Sequence, residues 1–317
     1  MDGNDYLEVL IMNKLAKIYG YILGDGWIDI HHQCGISGDK KSLEIIAKDI
    51  NSLYGDGTAK KITTRKTYSE KYGISGMTSQ FVTNVRFSKE MQALGMERGK
   101  RTDNIVTIPS WITEGDFDTK ASFISGFYAA EGLIPSLQRN KKTPRPLSFC
   151  FYKDISLIDN SRLLLQQFKK ILNDIGCTVF TTEDIVFTSA ERVRQVITLG
   201  NSEEEFLQTL KILDLDYCLP KEERRLQLIT YYSLKQVERE KNARIIQSIK
   251  YDREVNKLTH KELAHKYKRS KSQIENALNG KNKCHQVRNF PKFDQNFINS
   301  YCLSKTPLND ETLLSTI

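Results

Sequence analysis

"LAKIYGYILGDGWI" (residues 15–28) and "ASFISGFYAAEGLI" (121–134) are two copies of one pattern. Each is an apolar helical run with small residues four apart, followed by an acid, a glycine and an apolar strand start. The small residues are Gly20 and Gly24 in the first copy, Gly126 and Ala130 in the second. The acids are Asp25 and Glu131. Small residues at i and i+4 share one helix face and let two backbones approach closely. A helix C-terminus carries partial negative charge, so an acid there is repelled rather than welcomed. One copy reads as a glycine-terminated helix with an acid in its turn. Two copies predict helices packed side by side in parallel, bringing Asp25 and Glu131 together at one end. Two carboxylates and two negative helix ends suit a divalent cation with its preference for hard oxygen ligands.

The repeat extends outward from these helices. "SLEIIAKDINSLYG" (42–55) answers to "RLLLQQFKKILNDIG" (162–176), and "QFVTNVRFSKEMQALGM" (80–96) to "RVRQVITLGNSEEEFLQTLKIL" (192–213). The intervals 27–38, 57–87, 132–153 and 177–199 mix basic, polar and aromatic residues in a strand-like manner. These features predict an α+β chain of two α-β-β-α-β-β-α units in tandem, 1–115 and 116–235. Antiparallel strands with one face on the core and the other polar fit the alternation.

The chain has 317 residues, 39% hydrophobic and 27% charged, with a formal net charge of +8. These are the proportions of a globular protein, and the positive balance favours a polyanionic partner. No apolar run of membrane-spanning length is present, and the acidic start "MDGNDYLEVL" lacks a secretory pattern. The expected setting is intracellular, cytoplasmic in a prokaryote or organellar, with no membrane partner. The six cysteines form no CxxC pair, and His31-His32 has no ligand neighbours at helical spacing. Both arguments disfavour a zinc site.

The segments "IYGYILGDG" (18–26) and "ISGFYAAEG" (124–132), with "IPSWI" ahead of the second, resemble the doubled motif of LAGLIDADG homing endonucleases. Leu23 departs from the usual acid of that motif, and Glu131 replaces the commoner Asp. The resemblance covers residues 12–232 and implies a single-chain, two-motif protein of two pseudo-symmetric halves that meet at the motif helices, with strands forming a saddle over duplex DNA. It implies a monomer that cuts both strands of a long target site with Mg²⁺ or Mn²⁺. It places the catalytic acids at Asp25 and Glu131, with metal contacts extending to Gly24 and Ala130. It also implies a basic residue near each scissile phosphate, Lys100 and Lys221. Lys60, Lys61, Arg65, Lys66, Arg86, Arg139, Lys141 and Lys142 are the expected DNA contacts of the halves. The chain neither starts with Cys or Ser nor ends near His-Asn, so a free-standing enzyme rather than an intein is expected. Two alternatives remain open: a non-catalytic DNA-binding regulator on the same scaffold, and an RNA maturase.

The C-terminal stretch adds a second module. "THKELAHKYKRSKSQIENALNG" (259–280) reads as two short helices started by Thr259 and Ser270, preceded by a helix over 242–256. This predicts a small all-α helix-turn-helix domain over 243–290, joined by a charged linker at 233–242 and followed by a tail, 291–317. Its second helix would present Lys271, Ser272, Gln273 and Asn276 to DNA, since amide side chains pair with adenine edges and Lys and Ser suit phosphates.

Overall fold

Both motif segments are apolar on every side, so they form central helices rather than surface ones. In the computed structural model, which describes residues 3–69, 74–135, 146–187, 191–200, 202–280 and 290–302, they are α1 (Gly3–Asp25) and α5 (Phe117–Glu131). They run in parallel. Asn13 Oδ1 accepts from the Thr119 hydroxyl at 3.2 Å, an offset of 106 residues, and Gly24 faces Ala130 at that same offset. A Cβ on Gly20 would lie 2.2 Å from the Phe123 carbonyl oxygen, and one on Gly126 would lie 1.9 Å from that of Lys17. The small residues are therefore required by backbone-to-backbone contact.

The chain divides into two compact units, Met1–Ser136 with Thr143–Leu226, and Leu137–Lys142 with Gln227–Ile317. In the first unit, α1 is followed by β1 (Gly26–Ile28), β2 (Cys34–Gly38), α2 (Lys40–Tyr54), β3 (Thr63–Ser69), β4 (Ile74–Val82) and α3 (Val85–Ala93). A short helix, α4 (Ser110–Thr113), precedes α5. Then come β5 (Gly132–Leu133), β6 (Leu147–Asp154), α6 (Ile158–Asp174), β7 (Val179–Phe187), β8 (Arg192–Leu199) and α7 (Glu203–Ile212). The strands make two antiparallel four-stranded sheets of one order, β1-β2-β4-β3 and β5-β6-β8-β7. The architecture is mixed α+β.

Alternation decides what each sheet buries. In β6, Leu147, Phe149, Phe151 and Lys153 are buried while Ser148, Cys150, Tyr152 and Asp154 are half-exposed. Phe149 and Phe151 pack on Phe168 of α6, with ring centroids 5.3 and 5.8 Å apart, and Phe127 of α5 lies 4.5 Å from Phe168. Two connecting segments are fastened by side chains. Asn160 and Gln167 of α6 each donate to and accept from the backbone of Val106 and Ile108, at 2.9–3.1 Å. Beyond α7, the buried Tyr217 donates to Asp49 of α2 at 2.8 Å, and Lys17 of α1 bridges Asp214 and Asp216 at 2.5 and 2.6 Å.

The expected linker at 233–242 is corrected by the structure, because it lies inside one continuous helix, α8 (Leu219–Glu254). Its charges do not break a helix. Gln236 bonds Glu240 one turn on, Lys241 pairs with Glu238, and no Gly or Pro interrupts the segment. In the second unit, α9 (His260–Lys266) and α10 (Lys271–Leu278) start at Thr259 and Ser270, each closing a capping box. Leu263, Ile274 and Ala277 form a core with Ile249 of α8. The segment 290–302, in which the sequence offered no readable feature, supplies Phe290, Phe293 and Phe297 around Tyr231, with centroids 5.1–5.3 Å away.

Candidate active site at the paired helix ends

Because α1 and α5 end side by side, the carbonyls of their last turns and the carboxylates of Asp25 and Glu131 share one small region. Two cations answer this negative charge. The Arg101 guanidinium donates from Nη1 to the Leu23 carbonyl at 2.8 Å and from Nη2 to Glu131 Oε1, and it lies over the Phe127 ring at 5.5 Å. Lys221 Nζ donates to the carbonyls of Ala129 and Ala130 at 2.7 and 2.8 Å. Arg101 thus closes the end of α1, and Lys221 the end of α5. A cation at a helix C-terminus is the expected complement to its partial charge.

The two acids are held differently. Glu131 is ion-paired with Arg101. The Asp25 carboxylate has no ion pair among the described residues. Although Asp25 is exposed on one side, crowding desolvates its carboxylate and raises its pKa; Glu131 pushes the same way, while Lys221 and Arg101 oppose. Burial pulls the Lys221 pKa down, against Cys218, Asp25 and Glu131.

Among the described residues, no group of three or more His, Cys, Asp or Glu side chains could hold a metal ion. What the helix ends offer is two carboxylates and backbone carbonyls, an all-oxygen donor set. That chemistry fits Mg²⁺ or Mn²⁺ better than a thiophilic ion. Desolvation first, and then repulsion from Glu131, raises the Asp25 pKa, and a shared cation would offset both. Of the expected ligands, Ala130 O and Glu131 already contact side-chain cations.

Lys100 lies exposed in the segment after α3, while its neighbour Arg101 reaches Glu131. Sequence reading passed over Arg101, because only turn geometry decides between adjacent basic residues. Lys60 and Lys61 are exposed ahead of β3. Arg65 pairs across from Thr78, whereas Lys66 pairs across from Met77, in the same phase as the buried Ser79 and Phe81. The two therefore point to opposite faces of the sheet, and both cannot serve one ligand surface. Arg86 is exposed on α3, paired with Glu90. Arg139, Lys141 and Lys142 lie outside the described residues. Arg192 and Arg194 on β8 were missed, although the pattern "RVRQVITL" puts both on the polar phase. Lys271, Ser272 and Gln273 are exposed at the start of α10 and Asn276 is half-buried, but Gln273 Oε1 is engaged by the Ser270 backbone N–H at 2.9 Å. His32 lies in the β1–β2 turn against Arg98, with Nη2 to Nδ1 at 2.8 Å.

No protein-family model matches the chain. It is 27% identical over 237 residues to the tRNA-splicing ligase RtcB of Methanopyrus kandleri, covering 71% of this chain and 23% of that protein. It is 30% identical over 175 residues to RtcB of Pyrococcus furiosus, covering 52% and 18%. It is also 29% identical over 130 residues to the replication factor C small subunit of Methanocaldococcus jannaschii, covering 39% and 7%. The chain spans less than a quarter of the length of each of these relatives. Among solved structures, it is similar to two of the homing endonuclease I-DmoI, one a variant in complex with its target DNA in the presence of manganese. Those share 13% identity with it at TM-scores of 0.39 and 0.38, covering 64% of this chain and 90% and 94% of theirs. It is likewise similar to the N-terminal LAGLIDADG domain of DUF199/WhiA, at 12% identity and a TM-score of 0.38, over 64% of this chain and 81% of that one. No helix among the described residues is long and apolar enough to cross a membrane.

Proposed function

We propose that this chain is a site-specific double-strand DNA endonuclease of the LAGLIDADG type, built from two pseudo-symmetric halves and working as a monomer. One observation carries the reading: two parallel helices, in backbone contact through small residues, deliver Asp25 and Glu131 to one place. The sequence relatives support it indirectly. The parts of a tRNA-splicing ligase and of a replication factor subunit that match this chain are a minor share of each. In this reading the matched stretch would be a module separate from what gives either protein its name.

In this reading Asp25 and Glu131, with the carbonyls of Gly24 and Ala130, would hold Mg²⁺ or Mn²⁺. A divalent cation there offsets charge developing on the phosphate and on the leaving oxygen. Arg101 and Lys221, which close the helix ends in the free protein, would turn from those carbonyls to the phosphates, and Lys100 would add charge beside them. Trp27, Arg65 and Gln80 on one sheet, and Tyr152, Arg192 and Arg194 on the other, form the polar faces that follow the DNA. The module over 243–290 binds further along a long target through α10, so affinity falls steeply with salt. A second reading, a DNA-binding regulator that does not cut, is favoured by one observation: side-chain cations already satisfy Glu131 and Ala130 O.

The test is cleavage of a randomised duplex library with Mg²⁺, sequencing the new ends, with Asp25→Asn and Glu131→Gln run beside it. Recurrent cuts at one long site, lost in both variants, are expected. Selective binding without cuts in any divalent metal would establish the regulator instead.

A further inference from the structure

Lys153 stands in the wrong phase of its strand. It follows Leu147, Phe149 and Phe151 on the buried face of β6 and is fully buried itself. Alternation calls for an apolar side chain there, and an ammonium without a carboxylate partner is costly to bury. Its partners are two backbone carbonyls. Nζ donates to Arg101 O at 2.6 Å and to Asn104 O.

Those carbonyls bracket one turn. Between them, Thr102 O accepts from the Asp154 backbone N–H at 2.8 Å, and Asp103 lies 3.7 Å from Arg192 of β8. All four residues of the turn 101–104 are thus tied to the ends of β6 and β8. From this platform the Arg101 side chain spans both motif helices, touching the Leu23 carbonyl and Glu131. Its Nε is buried with no hydrogen-bond partner among the described residues, so its aim comes from the turn and from its two Nη contacts.

We infer that Lys153 is a positioning residue that fixes the 101–104 turn and thereby sets the Arg101 guanidinium against Glu131 and the end of α1. Its consequence for DNA cleavage rests on the endonuclease reading; its consequence for Arg101 does not. The cost of the arrangement is visible in Lys153 itself. Burial, reinforced by the nearby Arg101 charge and only partly opposed by Asp103, pushes its pKa down to about 8.

The test follows the Nε–Hε resonance of Arg101 by NMR in the full-length chain, identified by its loss in R101Q. In the wild type the signal is expected to be sharp and, because Nε is buried, slow to exchange with water. In K153M, which keeps an unbranched side chain one atom shorter and removes the donor, the signal is expected to broaden and its exchange to accelerate at least about tenfold, the melting transition remaining cooperative. With cleavable DNA, K153M is expected to lose about 10- to 100-fold in turnover, as for a misplaced catalytic group. The K153M/R101Q double variant should fall no further than R101Q. An unchanged Arg101 resonance in folded K153M, or losses that multiply in the double variant, would overturn the inference. Should K153M fail to fold, through-hydrogen-bond couplings from Lys153 Nζ to the carbonyls of Arg101 and Asn104 in the wild type decide it, and their absence sinks it. If the wild type cuts no DNA, the resonance still reports on Lys153, so failure of the function and failure of this inference remain distinguishable.

Discussion

The ends of α1 and α5 were built from one pattern, yet they meet their charge in opposite ways. At the end of α5, Glu131 reaches Arg101 and Lys221 closes the last carbonyls. At the end of α1, Arg101 closes the Leu23 carbonyl, while the Asp25 carboxylate has no ion pair among the described residues and holds its proton more tightly than an ordinary Asp. One guanidinium therefore serves both helices, and the shorter acid is left desolvated beside Glu131, with Lys221 and Arg101 opposing only from a distance. Equivalent places in a repeat need not be electrostatically equivalent, because the residues that answer them arrive from different turns.

The largest expected effect is on activity. In the endonuclease reading, Asp25→Asn and Glu131→Gln should each lower double-strand cleavage by at least about 10²-fold. Residual product should be nicked in opposite strands, read by end-labelling each strand of one target. Nicks confined to the same strand in both variants would break the division of labour between the two helix ends.

Next is the contact that creates the pairing. Gly126→Ala sets a Cβ 1.9 Å from the Lys17 carbonyl oxygen, within rigid helix backbone. Urea denaturation should show a loss of about 3 kcal/mol or more. Gly24→Ala, which meets the Ala130 Cβ at 2.3 Å rather than a carbonyl, should cost less. Equal losses would mean that the two helices are not pressed together most tightly where the backbones touch.

A third carboxylate supplies the contrast to Asp25. Asp252 accepts from Tyr267 and Asn256 at 2.7 Å each and pairs with Lys266, which lowers its pKa to about 2. A depressed pKa contributes stability above the unfolded value of 3.8 that is lost as pH falls toward about 2. Acid unfolding followed by circular dichroism should therefore shift to higher pH in Asp252→Asn.

The smallest effect has the reverse sign. The Asp25 pKa is raised above its unfolded value of 3.8, so its stabilising contribution is present below that value and disappears as pH rises through the folded one. In metal-free buffer at about pH 7, Asp25→Asn should melt slightly above the wild type, and this gain should vanish near about pH 3. Arg101 opposes the raised pKa, so in an R101Q background the gain should grow. Added Mg²⁺ should stabilise the wild type more than Asp25→Asn.

The sequence by itself determined the helix pair, the parallel approach, the position of both acids and the order of strands and helices around them. Those features are local: a small residue every fourth position, a breaking glycine, a change of hydrophobic period. It also located the starts of α9 and α10, because a capping box is written in four consecutive residues. The charged stretch 233–242 was misread because its density of charge suggested a linker, while helix formation follows i to i+4 spacing and the absence of breakers. Tertiary structure alone decided that Arg101 rather than Lys100 reaches Glu131, and that Arg65 and Lys66 face opposite ways. It alone explained Lys153, whose partners are carbonyls 52 and 49 residues earlier in the chain. A backbone carbonyl has no signature in the sequence, so a side chain that answers one cannot be read until the chain has folded around it.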